Sequence, residues 1–127
     1  MQKVYVLAGV VALVACSNGM STVSATPVTV EPGELFWAKN TMAERTGRPG
    51  GAQFRNMFVA DLSNGDRVYC GEMKVSDGQN SFQGYVPFYM RHSRSVVKAV
   101  NWSPESADFS ERKCGEARSG QLRINEL

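Results

Sequence analysis

Between Ala52 and Trp102, apolar and polar residues alternate with a period near two, in runs broken by turn-forming residues. That is the pattern of half-buried strands. In residues 52–62, AQFRNMFVADL, Phe54, Phe58, Ala60 and Leu62 share one parity, and Arg55 and Asp61 share the other. Ser63-Asn64-Gly65-Asp66 follows, and Asn-Gly between apolar runs predicts a tight hairpin because both residues accept a positive φ. Arg67–Val75 is the returning strand, with Tyr69, Met73 and Val75 alternating against Cys70, Glu72 and Lys74. Ser81–Met90 alternates most regularly: Phe82, Gly84, Val86, Phe88 and Met90 face one way, and Gln83, Tyr85, Pro87 and Tyr89 the other. Pro87 cannot donate to a ladder, so it marks an edge or a bulge. Ser95–Trp102 predicts a further strand and Gln121–Ile124 a last one.

Helical spacing occupies the flanks. Pro32 suits a first turn, Glu31 and Glu34 suit the positive end of the helix dipole, and Gly47 with Pro49 ends the segment. Leu35, Phe36, Met42 and Ala43 fall near one face of this helix, with Lys39 and Arg45 away from it. Ser103-Pro104-Glu105 starts a second, short helix reaching about Cys114. The expected fold is therefore α+β. An N-terminal helix packs on an antiparallel meander of four to five strands, over the face bearing Phe54, Phe58, Phe82 and Phe88. A short C-terminal helix and one disulfide complete it.

The N-terminus changes the picture of where the chain works. Lys3 precedes an uncharged apolar run, Val4–Ala15. It is too short for a permanent membrane span and has the length of a signal-peptide core. It ends in Leu13-Val14-Ala15-Cys16, which resembles the bacterial lipobox, where the cysteine is acylated and the chain is cut before it. The resemblance implies a signal peptide over residues 1–15, a mature chain beginning at lipidated Cys16, and anchoring in a membrane. Ser17 after the cysteine, by similarity to known sorting rules, implies the outer membrane, facing the periplasm. The alternative is an ordinary secreted or periplasmic protein cleaved after Val23-Ser24-Ala25. Residues 16–30 are rich in Ser, Thr and Val and read as a flexible tether, leaving 31–127 as a single domain.

Export accounts for the cysteines. With Cys16 lipidated, Cys70 and Cys114 remain as a pair, and an oxidising compartment favours their disulfide. A metal site is the rival, but no CxxC spacing is present and His92 is the sole histidine. Neither metal nor cofactor is expected. The net charge of +2 gives no basic stretch suited to nucleic acid, so nucleic acid is not an expected partner. The glycines around Pro49 lack the Lys-Ser/Thr of a phosphate loop.

Phe54-Arg55-Asn56, Tyr69-Cys70-Gly71-Glu72 and Asn80-Ser81-Phe82-Gln83-Gly84-Tyr85 with Pro87-Phe88 together resemble a pattern found in small exported bacterial proteins of unknown function. The pattern pairs a Cys-Gly-Glu strand with an Asn-Ser-Phe-x-Gly-Tyr strand. It covers residues 52–90. Gln83 stands where glycine is common, and Asp77-Gly78-Gln79 resembles an insertion. The resemblance implies a shared fold and no catalytic residues. A looser class analogy is to small disulfide-bonded inhibitors of c-type lysozyme, whose motif is otherwise missing.

Candidate chemistry is sparse. His92 lies between Arg91 and Arg94 with Ser93 and Ser95 beside it; sequence adjacency does not make a triad, and a surface histidine is expected. Glu72 with Asp61 or Asp77 would be a carboxylate pair, but Arg55, Arg67 and Lys74 stand ready to bridge them. Arg91, His92, Arg94 and Lys98 are either a solvated turn or a small basic patch suited to lipid headgroups or lipopolysaccharide. Tyr85 and Tyr89 share the face opposite the phenylalanines, as an aromatic strip or a second packed face. The candidate binding surface is Tyr85, Tyr89, Asp77, Asn80, Arg91 and Arg94. Glu72 is a further weak candidate. The expected function is a non-enzymatic, lipid-anchored binding module of the cell envelope, with a protein or glycan partner. The alternatives are an envelope inhibitor or exclusion factor acting through the loop Asp77–Ser81, and, more remotely, a hydrolase.

Overall fold

A computed structural model describes residues 20–47, 51–75, 84–93 and 96–125. Residues 1–15, read above as a signal peptide, and Cys16, Asp77, Asn80, Phe82 and Arg94 lie outside the described residues. Strand β1 (Met20–Pro27) leads into helix α1 (Pro32–Arg45). Strands β2 (Ala52–Leu62), β3 (Arg67–Val75), β4 (Val86–Ser93) and β5 (Val96–Asn101) follow. A 3₁₀ turn at Pro104–Ser106 opens helix α2 (Ala107–Ser119), and β6 (Gln121–Asn125) closes the fold. The strands form one antiparallel sheet in the order β5-β4-β3-β2-β1-β6.

This corrects the expected fold. Among the described residues a strand and not a helix comes first, and the sheet is six strands rather than a meander of four to five. Met20–Pro27, read as tether, is a strand inserted between β2 and β6. Its Ser/Thr-rich composition imitates a linker because only Val23 and Ala25 face inward, while Thr22, Ser24 and Thr26 are exposed. Small inward residues suffice because β1 is held on both edges, by Leu62 and Asp61 of β2 and by Leu122 and Arg123 of β6.

Each face of the sheet carries a core. On one side Ala38 and Met42 of α1 pack with Val59, Tyr69, Met73, Val75, Phe88 and Met90. On the other, Cys114 and Ala117 of α2 pack with Val23, Ala60, Leu62, Val68, Tyr89 and Leu122. Phe36, expected on the buried face of α1, is 67% exposed. Phe58, expected under α1, packs on the α2 side instead, because a bulge between Arg55 and Phe58 reverses the alternation of β2. The disulfide Cys70–Cys114 ties β3 to α2, with Cα atoms 5.9 Å apart. Gly120, left-handed at φ 103°, ends α2. Lys113 donates to the carbonyl of Arg123, fastening β6 along α2. No helix among the described residues is long and apolar enough to cross a membrane.

Candidate functional site

The bulge in β2 builds the better-formed site. Asn56 takes φ 56°, the one non-glycine residue with positive φ among those described, a conformation asparagine accepts more readily than other side chains. The extra residue turns Arg55 and Asn56 together toward β3. There Arg55 Nε donates to Glu72 Oε1 at 2.7 Å and Asn56 Nδ2 donates to the same oxygen at 3.0 Å. These two hydrogen bonds hold the Glu72 carboxyl below its ordinary range, so the group is anionic. The Arg55 guanidinium also lies 3.9 Å from the ring centre of Tyr85, whose hydroxyl donates to Gln53 Oε1 at 3.4 Å.

Beside this cluster a cleft of about 350 Å³ opens between the sheet and α2, lined by Asn56, Glu72, Pro87, Glu111, Cys114 and Arg118. Gly71 forms part of its floor. A Cβ there would lie 3.0 Å from Met57 Sδ and 3.1 Å from the Phe88 ring on the other side of the sheet, so glycine lets the bulge pack against β3. The cleft thus combines the carboxylates of Glu72 and Glu111, the guanidinium of Arg118, the amide of Asn56 and the flat surface of Pro87.

The opposite face holds a second polar cluster. Arg67 donates through Nη1 to both oxygens of Glu34, at 2.9 and 2.7 Å, and through Nε to Asp61 Oδ1 at 2.6 Å. The Tyr69 hydroxyl donates to Glu34 and lies 3.0 Å from His92 Nε2. Tyrosine has one proton, and it is committed to the carboxylate. His92 therefore carries its own proton on Nε2 and donates to the tyrosine oxygen, leaving Nδ1 as a buried lone pair without a partner. The Trp37 ring meets His92 edge-on at 5.1 Å, and the rings of His92 and Tyr69 stack at 5.2 Å. Because Nδ1 is closed off from solvent, this arrangement clamps α1 to the sheet and does not offer a base to a substrate.

Burial lowers the His92 pKa below its ordinary 6.5, against the pull of Glu34. Burial raises Glu34, but the hydrogen bonds from Tyr69 and Arg67 outweigh it and leave that carboxyl below its ordinary 4.5. Tyr69 is pushed up, first by burial and then by Glu34. The sign for stability follows. A histidine with a depressed folded pKa binds fewer protons folded than unfolded, so its contribution is present above pH 6.5 and is lost as pH falls through the depressed value. Depressed carboxyls contribute above their unfolded values and lose that contribution on further acidification. Thermal melts should therefore show Tm falling shallowly below about pH 6.5 and steeply below about pH 4.5. Replacing His92 by Gln should flatten the first limb alone, and a Tm that rises on acidification would contradict the assignment.

The other expected site residues separate. Tyr89 is buried at 2% exposure under α2, edge-on to Phe109 at 6.1 Å, so it cannot form an exposed strip with Tyr85. Arg91 is also buried. Its Nη1 donates to Asp66 Oδ2 at 2.6 Å, and Lys98 Nζ lies 3.4 Å from Asp66 Oδ1. Burial pushes Asp66 up, and the hydrogen bonds from Arg91 and Ser93 with the charges of Lys98 and Arg91 together outweigh it, leaving it below its ordinary value. The described members of the basic patch are thus taken up by internal partners.

No protein-family model, curated protein or solved structure matches this chain.

The residues that strand parity missed are Asn56, Glu111 and Arg118. The first depends on the bulge and the others on the docking of α2. Asn56, Glu72 and Pro87 line the cleft, with Arg55 beside Glu72 and Tyr85 beside Arg55.

Proposed function

We propose that this chain is a lipid-anchored domain of the bacterial cell envelope that acts by binding. In this reading residues 1–15 are the signal peptide, acyl chains on Cys16 hold the protein in the outer membrane, and the cleft beside Glu72 receives a glycan of the envelope. The Leu13-Val14-Ala15-Cys16 stretch supports the anchor, and the closed Cys70–Cys114 pair fits an exported protein. One observation carries the binding site: a β-bulge brings Arg55 and Asn56 onto a single Glu72 oxygen on the rim of a cleft of ligand size. Glu72 offers a second oxygen, and the cleft adds Glu111, Arg118 and the flat Pro87. Paired charges of opposite sign beside apolar flats suit a neutral, hydroxyl-rich ligand better than an ion. The one histidine supports binding over catalysis, since it serves the opposite face.

Calorimetric titration of the lipidated protein in detergent with uncharged N-acetylglucosamine oligosaccharides tests this. The wild type should bind. Glu72→Gln should weaken binding by about tenfold or more, because a hydrogen bond to a charged acceptor contributes roughly 1.5–3 kcal/mol and each 1.4 kcal/mol is a factor of ten. Its Tm should stay close to wild type, since Arg55 is 54% exposed and such pairs stabilise little. Absence of binding by the wild type, or equal binding by the variant, would sink the glycan reading.

A further inference from the structure

We infer that Phe36 and Trp37 of α1 rest in the headgroup layer of the bilayer that anchors the chain, so that the domain lies against the membrane instead of swinging on a leash. The inference rests on the anchor at Cys16 proposed above. Its first support is a length. β1 begins at Met20, so only four residue steps separate the acylated cysteine from the sheet, a reach of about 14 Å at most. A tether running to residue 30 would have allowed free reorientation; this one does not.

The second support is direction. Ser24 N donates to Ser63 Oγ at 3.0 Å, and Ser63 N donates to the Ser24 carbonyl at 2.9 Å, which sets Ser24 level with the β2–β3 turn. Met20–Val23 continue beyond that level, paired with β6 alone. The anchor therefore leaves from the end of the sheet that carries this turn. α1 is pinned at the same end. Glu34 binds Arg67, the first residue of β3, and Trp37 packs on His92, which pairs with Arg67.

The third support is the surface presented. Gly33, Phe36, Trp37 and Asn40 are all exposed and follow helical spacing, forming an uncharged stripe. Phe36 is 67% exposed and Trp37 36%. Aromatic side chains of this kind favour the interface between lipid and water. Two aromatics are too few for a standard protein interface of about 800 Å² per partner. They are enough to orient a domain whose affinity for the membrane comes from acyl chains.

Fluorescence of the lipidated protein, reconstituted into phosphatidylethanolamine–phosphatidylglycerol vesicles carrying headgroup nitroxide lipids, tests the placement. The difference between wild type and Trp37→Phe isolates Trp37 from Trp102. Loss of most Trp37 emission to the nitroxide, with protection from aqueous acrylamide, is the expected result. Quenching by acrylamide alone would overturn the inference, and so would protection from both quenchers, which means a protein covers the helix. The mass of the N-terminal peptide from the same sample separates the two readings. Acyl chains present with Trp37 unquenched by lipid leaves the anchor standing and removes the docking, whereas an unacylated Cys16 removes both.

Discussion

Replacing Cys70 and Cys114 together by alanine should lower stability by about 4 kcal/mol. The bridge spans 44 residues, and confining an unfolded loop of that length costs roughly 13 cal/mol/K of entropy, or about 4 kcal/mol at 25 °C. The position adds to the case. Cys70 is fully buried in the middle of β3, and Cys114 is 3% exposed on the inward face of α2. The bridge is thus the covalent link between the sheet and the helix that covers its second core. For a domain of this size the loss corresponds to a fall in Tm of roughly 15–20 °C. Differential scanning calorimetry of the double variant checks it, and a melt within about 5 °C of wild type would show that the constraint is already met by residual structure in the unfolded chain.

Asp66→Ala should be comparably damaging, at about 3–5 kcal/mol, the usual cost of removing one partner from a buried ion pair. The Asp66 side chain is 2% exposed and that of Arg91 9%. Arg91 Nε already lacks a partner, so the alanine variant strands a guanidinium inside the sheet–helix layer. Lys98, with a side chain 40% exposed, can turn to solvent and loses little. The decisive comparison is Asp66→Leu with Arg91→Met. Removing both charges should recover most of the loss, because well-packed apolar groups replace a buried pair at little net cost. Urea denaturation of the single and double variants measures both numbers. If the double variant is no better than the single, the damage lies in the turn that Asp66 forms with Asn64, whose Oδ1 accepts from the Asp66 amide at 3.0 Å.

Much of the local structure is written in neighbouring residues. Asn64-Gly65 makes the β2–β3 hairpin because Gly65 takes φ 96° where a side chain would be strained. The Cys-Gly-Glu run of β3 has a separate physical reason at each position: a disulfide, room for Met57 and Phe88, and a partner for Arg55 and Asn56. Parity fails where it depends on an uninterrupted ladder. A lone asparagine inside an alternating run does not by itself announce a bulge, and the slip moves Phe58 to the other core. The Tyr85–Tyr89 pairing fails differently. The two share a face, but α2 covers one and leaves the other half-exposed beside Arg55. Arg91 and His92 read as a surface turn because charge suggests solvent, whereas Asp66, Tyr69 and Glu34 reach them from elsewhere in the chain.

By itself, then, the sequence determined the features set within a few residues: turn chemistry, strand alternation, and the cysteine pair left once Cys16 is set aside. Tertiary structure alone decided the rest. It made a strand of Met20–Pro27, whose buried side chains, Val23 and Ala25, are too small to signal burial without β6 and β2 on either edge. It gathered Asn56, Glu72, Glu111 and Arg118 around one cleft, and it left Phe36 outside. Each of these depends on contacts between residues far apart in the chain, which no local periodicity encodes.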